Sequence, residues 1–145
     1  MIKTKTYVLI AEDDLDDQYL LSKAAMSQDL KPTLQMCFDG QEVIDYLNKC
    51  VQMEMDLPDL ILLDLNMPIL DGHKTLQYIK RSTQFKHIPV VVFTTSYSED
   101  DIKIAYRNGA NSFISKPHSQ TELNDVLNVL FTYWLDTVKL PDFNQ

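Results

Sequence analysis

The chain has 145 residues, 45% of them apolar, enough for one domain with a full core. Thirteen Lys and Arg stand against 21 Asp and Glu, a formal charge of −8 that argues against a nucleic-acid surface. The acid is local: residues 1–72 hold 14 acids and 5 bases, and the remainder holds 7 and 8.

Residues 1–6 carry no apolar leader, and no later stretch reaches membrane-spanning length. Cys37 and Cys50 lack metal spacing and read as small hydrophobes, which points to a reduced, cytoplasmic domain. Tyr7–Ala11 is continuously apolar, the mark of a buried strand, and runs into Glu12-Asp13-Asp14. Residues 15–28 pair Leu20 with Ala24 and Leu21 with Ala25 at helical spacing, with Asp16 and Asp17 in the first turn, where the helix dipole favours acids. A short mixed strand over 33–38 suits a sheet edge. Asp39-Gly40-Gln41-Glu42 then makes a turn and capping box before the helix of Val43, Ile44, Leu47 and Val51. A polar connection over 52–58, closed by Pro58, leads to a third strand over 59–63. That run of apolar residues meets a carboxylate at Asp64, and Pro68 and Gly72 punctuate the turn that follows.

The next helix carries Leu76 and Ile79, with Lys80 and Arg81 near its end. Val90 to Phe93 form a fourth strand ending in Thr94-Thr95-Ser96. A capping box at 98–101 opens a helix that Gly109 stops. Residues 110–114 form a fifth strand, followed by Ser115-Lys116-Pro117. Ser119 caps a last helix lined by Leu123, Val126, Leu127, Leu130, Phe131, Trp134 and Val138. Alternating strands and helices imply right-handed crossovers and a parallel sheet covered on both faces. A flavodoxin-like (βα)5 three-layer sandwich with strand order 2-1-3-4-5 is the natural arrangement. No glycine-rich fingerprint follows the first strand, which disfavours a dinucleotide or P-loop site.

Active groups of parallel sheets sit at the carboxyl ends of strands. Asp13 and Asp14, Asp64, Thr94 and Lys116 all fall there, gathering three carboxylates, a hydroxyl and an ammonium. Carboxylates so close repel each other, and a hard cation, Mg²⁺ or Mn²⁺, relieves the conflict. His73, His87 and His118 are isolated in sequence and read as surface or cap residues. A carboxylate beside such a cation and a lysine can act as a nucleophile toward phosphorus. The same groups could serve a metal-dependent phosphohydrolase acting on small molecules, which needs a substrate pocket. A constitutive protein-binding module with the same fold is the other alternative.

These residues resemble the receiver domain of bacterial two-component response regulators over about 6–136, with a tail over 137–145 in a single domain of 1–145. The acidic pair of the family matches Asp13 and Asp14, the phosphoacceptor Asp64, the switch hydroxyl Thr94, and the lysine–proline pair Lys116 and Pro117. The aromatic switch position matches Phe113, which keeps the ring and lacks a tyrosine's hydroxyl. The intervals of 30 residues from Asp64 to Thr94 and 52 to Lys116 fit the family's pattern. The tail, with Tyr133-Trp134-Leu135 and then Leu140-Pro141, is similar to stand-alone receivers of the small cyanobacterial phytochrome-partner type.

The resemblance implies a sensor histidine kinase or phosphotransfer protein as donor and Mg²⁺ held by Asp14, Asp64 and the Asn66 main-chain carbonyl. It implies that Asp13 acts mainly through a metal-bound water and that the Lys116–Pro117 bond is cis. Thr94 and Phe113 would move on phosphorylation. Nothing follows Gln145, so the expected output is contact with a downstream protein target or further phosphotransfer. This would be a phosphoprotein of a phosphorelay that phosphorylates itself from a donor and slowly dephosphorylates, rather than an enzyme. Phe131, Tyr133, Trp134 and Leu135 crowd one helix. They lead to two expectations: partial exposure with Pro141 folded back over the domain, or a homodimer or partner surface.

Overall fold

The apolar runs become the strands of one parallel sheet. The computed structural model describes residues 6–142; residues 1–5 and 143–145, the ends of the expected domain, lie outside them. The strands are β1 (Tyr7–Ala11), β2 (Thr33–Cys37), β3 (Leu60–Leu63), β4 (Val90–Thr94) and β5 (Ser112–Ser115). Their order is β2-β1-β3-β4-β5, as the alternation predicts, and every pairing is parallel. The helices are α1 (Leu15–Met26), α2 (Gly40–Gln52), α3 (Gly72–Arg81), α4 (Glu99–Arg107) and α5 (Gln120–Phe131).

Successive strand side chains point to opposite faces, so each apolar run feeds two cores. Leu9, Ile61, Leu63, Val90 and Val92 face α2 and α3, where Val43, Leu47, Leu76 and Ile79 meet them. Val8, Ile10, Leu60, Leu62, Val91 and Phe93 face α1 and α5, meeting Leu21, Ala24, Ala25, Leu123 and Leu127. Full burial of each such side chain stabilises by roughly 1.5–3 kcal/mol, which pins the register, because a one-residue slip would exchange the two faces.

Side-chain caps start the helices where the sequence places them. Asp39 Oδ1 accepts the Glu42 N–H at 2.8 Å, Asp71 Oδ1 that of Lys74 at 2.9 Å, and Ser119 Oγ that of Glu122 at 3.1 Å. Helix α2 ends through Glu54, which takes a left-handed φ of 55° while the Met55 N–H bonds back to the Cys50 carbonyl. After Phe131 the last helix widens into a π-helical stretch, Thr132–Thr137, closed by the Val138 N–H on the Tyr133 carbonyl.

Candidate functional site

The sheet ladder runs one residue past the strands and fixes the backbone of three polar residues. The Glu12 N–H bonds the Cys37 carbonyl at 3.0 Å, the Asp64 N–H that of Ala11 at 3.1 Å, and the Lys116 N–H that of Thr94 at 2.7 Å. These residues therefore stand side by side at the carboxyl edge. Carboxylate oxygens of Glu12, Asp13 and Asp64 lie within 4.8 Å of one another. Glu12 and Asp64 are buried and Asp13 is exposed, so the group opens to solvent on one side.

Lys116 closes the buried side. Its ammonium donates to Glu12 Oε1, to Asp64 Oδ2 at 3.1 Å and to Asp17 Oδ2 at 3.4 Å. Asp64 Oδ1 accepts the Asn66 N–H at 3.2 Å. Burial pushes the Glu12 carboxyl up to about 7, although the Lys116 hydrogen bond opposes the rise. Burial would depress the Lys116 ammonium, but Glu12 and Asp64 outweigh it and raise its pKa. Lys116 is accordingly charged at neutral pH.

The acidic group differs from the expected one. Asp14 is exposed and outside it: its Oδ1 accepts the Asp17 N–H at 3.0 Å, making it the N-cap of α1. Glu12 takes its place, held by two further bonds. Its carbonyl accepts from Gln18 Nε2 at 2.6 Å, and its Oε2 from the Asp14 N–H at 3.1 Å. Glu12 and the Lys116 partner Asp17 are the residues that the sequence reading missed. The signal was present, since Asp14 stands three residues before Asp17, the spacing of a helix cap, which leaves Glu12 and Asp13 as the strand-end pair.

Thr94 is fully buried at the end of β4. Phe113 is half-buried against the α2–α3 core, its N–H donating to the Tyr106 hydroxyl at 3.1 Å. Pro117 is partly buried beside Lys116, and the Lys116–Pro117 bond is trans, not cis, in keeping with the intrinsic preference of the peptide bond. Of the four aromatic and apolar residues expected at an interface, Phe131 is 1% exposed and belongs to the α1–α5 core. Trp134 and Leu135 are half-buried against that core, and Tyr133 alone is exposed, at 50%.

Fold and cluster together define a receiver-type module placed for metal-assisted phosphoryl transfer. The model of the response regulator receiver domain matches residues 8–128. The chain is 37% identical over 134 residues to the probable methanogenesis regulatory protein FilR2 of Methanothrix harundinacea, covering 92% of this chain and 86% of that one. The phosphorylated cyanobacterial phytochrome response regulator RcpA superposes with a TM-score of 0.88 at 34% identity, over 96% of this chain and 100% of that one. The Mn²⁺-bound form of Rcp1, a response regulator of Synechocystis, gives 0.84 at 33% identity, over 94% and 99%. This chain belongs to the response regulator receiver family, and response regulators of cyanobacterial phytochromes are among its close relatives. The family implies a cognate histidine kinase or phosphotransfer protein. Such a receiver takes a phosphoryl group onto itself and loses it slowly instead of turning over a substrate. Among the described residues, no helix is long and apolar enough to cross a membrane.

Proposed function

We propose that this receiver accepts a phosphoryl group on Asp64 from the phosphohistidine of a sensor kinase. One observation carries the reading: Asp64 is a buried carboxylate at a strand end, 3.1 Å from a lysine ammonium and grouped with Glu12 and Asp13. An Asp64 oxygen attacks phosphorus, the P–N bond of the donor breaks, and its electron pair returns to the imidazole nitrogen. Lys116 offsets the charge on the equatorial oxygens.

Glu12, Asp13 and Asp64 supply only hard oxygen donors, which suits Mg²⁺ or Mn²⁺, with the Asn66 carbonyl as a further ligand. When bound, the cation neutralises phosphoryl charge. Thr94 and Phe113 form the switch: Phe113 pairs with Val92 on the neighbouring strand, two residues before the buried Thr94. The changed surface passes the signal to a protein target or a further phosphotransfer step, in the cytoplasm and without nucleic-acid contact. A small-molecule phosphohydrolase would instead show sustained turnover of an added phosphomonoester. A homodimer through α5 would rest on Val129 and Tyr133, exposed one turn apart. Sedimentation of a V129A/Y133A variant beside wild type tests it.

The test of the proposal is incubation with acetyl phosphate and Mg²⁺, read by intact mass. One phosphoryl group should add to wild type and to D14N. EDTA or the D13N substitution should abolish or strongly slow the gain. Labelling that persists in EDTA would overturn the metal-assisted reading.

A further inference from the structure

The loop between β4 and α4 is held by a chain of side chains that starts on another helix. His73, in the first turn of α3, places Nε2 3.0 Å from Asp101 Oδ1. Asp101 lies in the first turn of α4, and its Oδ2 accepts the Ser96 hydroxyl at 2.7 Å. Ser96 sits in the loop itself. Its Oγ accepts the Ser98 N–H at 3.1 Å, and its carbonyl accepts the Ser115 hydroxyl at 2.9 Å. The Ser96 N–H stands 3.5 Å from Thr94 Oγ1.

Two features mark this chain as more than a helix start. Asp101 occupies the position from which a capping box would reach back to the Ser98 N–H. Its carboxylate is instead shared between Ser96 and His73, whose hydrogen bonds lower its pKa, while the Asp101 N–H donates to Ser98 Oγ at 3.3 Å. His73 is also held at a cost, because its Nδ1 is buried without a hydrogen-bond partner among the described residues. The connection runs from α3, whose first residue packs on the Asp64 backbone, to the loop that leaves β4 after Thr94.

We propose that His73 and Asp101 form a latch between α3 and α4 that holds Ser96, and through it the Thr94 loop, in the resting position. They are positioning residues for the switch, and the inference rests on the reading of Asp64 as phosphoacceptor. In this arrangement Thr94 Oγ1 faces the Ser96 N–H. Engaging a phosphoryl group on Asp64 requires the loop to move and the Ser96–Asp101 bond to rearrange. Weakening the latch should therefore favour the phosphoryl-bound position, since an effector shifts an equilibrium by its differential contacts.

The experiment compares wild type, H73A, D101N and H73Q, the last retaining a hydrogen-bond donor toward Asp101. Amide resonances of residues 95–98 and the Thr94 methyl are followed by NMR, free and during titration with beryllofluoride and Mg²⁺; urea unfolding is measured in parallel. H73A and D101N should shift the loop resonances of the free protein and bind beryllofluoride about fivefold tighter, the low end of coupling between sites. H73Q should stay close to wild type. A brace with no effect on the switch would lower stability but leave beryllofluoride affinity and the loop resonances unchanged, and that result overturns the latch. Weaker binding in H73A, with its loop folded, also overturns it. Failure of wild type itself to bind beryllofluoride overturns the phosphoacceptor reading, which separates the two claims.

Discussion

Gly72 opens α3 directly against the phosphoacceptor, and a single methyl group there should injure both fold and site. A Cβ at 72 would stand 2.2 Å from the Asp64 carbonyl oxygen and 2.6 Å from Leu65 Cα. Both are backbone atoms and cannot rotate aside. Ordinary contact starts at 3.4 Å, so the helix start and the end of β3 must separate by about 1 Å. Alanine gains about 1 kcal/mol over glycine in a helix interior. Overpacking costs roughly 1–3 kcal/mol, here toward the upper end because backbone must move. The displacement also strains the bond from the Gly72 N–H to the Leu65 carbonyl, 2.9 Å long and worth about 1 kcal/mol. The net expectation for G72A is a loss of about 2 kcal/mol, read by urea unfolding through Trp134 fluorescence. A 1 Å displacement at a reacting group can lower a rate by about 100-fold, so phosphorylation by acetyl phosphate should slow by that order. Gly109 provides the control. It has φ +97° and sits against the Lys80 side chain, away from the site, so G109A should lose stability while phosphorylation continues unchanged. Wild-type stability and rate in G72A would refute the reasoning.

Three further outcomes follow from the same structure. Lys116 shares Glu12 and Asp64 with any bound cation, so K116M should bind Mg²⁺ several-fold more tightly by calorimetry yet lose phosphorylation; an unchanged affinity would place the cation elsewhere. Lys80 donates to the Lys86 and Ile88 carbonyls, and burial holds its ammonium down at about 8 against 10.5 for an ordinary lysine. The unfolded chain then binds the extra proton between these values, so wild-type stability should rise with pH from 8 to 10.5 relative to K80M, by at most ~1.4 kcal/mol per pH unit; a flat difference contradicts the assignment. Glu54 adopts φ 55° at the end of α2, where glycine is at ease, so E54G should raise the unfolding free energy by about 0.5–1 kcal/mol.

The sequence made the sheet legible because its apolar runs are short, branched and bounded by turn residues, and because strand ends collect polar groups in any parallel α/β fold. Asp64 and Lys116 were legible for that reason. The acidic pair was displaced by one residue because three acids in a row, Glu12-Asp13-Asp14, leave strand end and helix cap competing for the same positions. The spacing of Asp14 and Asp17 favours the cap, and the bond from the Asp17 N–H to Asp14 Oδ1 decides it. The end of the last helix was legible only in part: the surplus of large side chains is plain in the sequence, but only packing shows Phe131 inside the core, Trp134 and Leu135 against it and Tyr133 exposed. The α3–α4 latch was not legible at all, since His73, Ser96 and Asp101 are brought together only when α4 packs against α3.

The central claim is that Asp64 takes the phosphoryl group. Its most direct measurement is peptide-level mass spectrometry of the protein after acetyl phosphate and Mg²⁺, with the acyl phosphate trapped by borohydride reduction before digestion. The account predicts a single modified peptide containing Asp64, with the change on that residue and no such peptide from D64N. Modification of Asp13 or another carboxylate, or undiminished labelling of D64N, would contradict it.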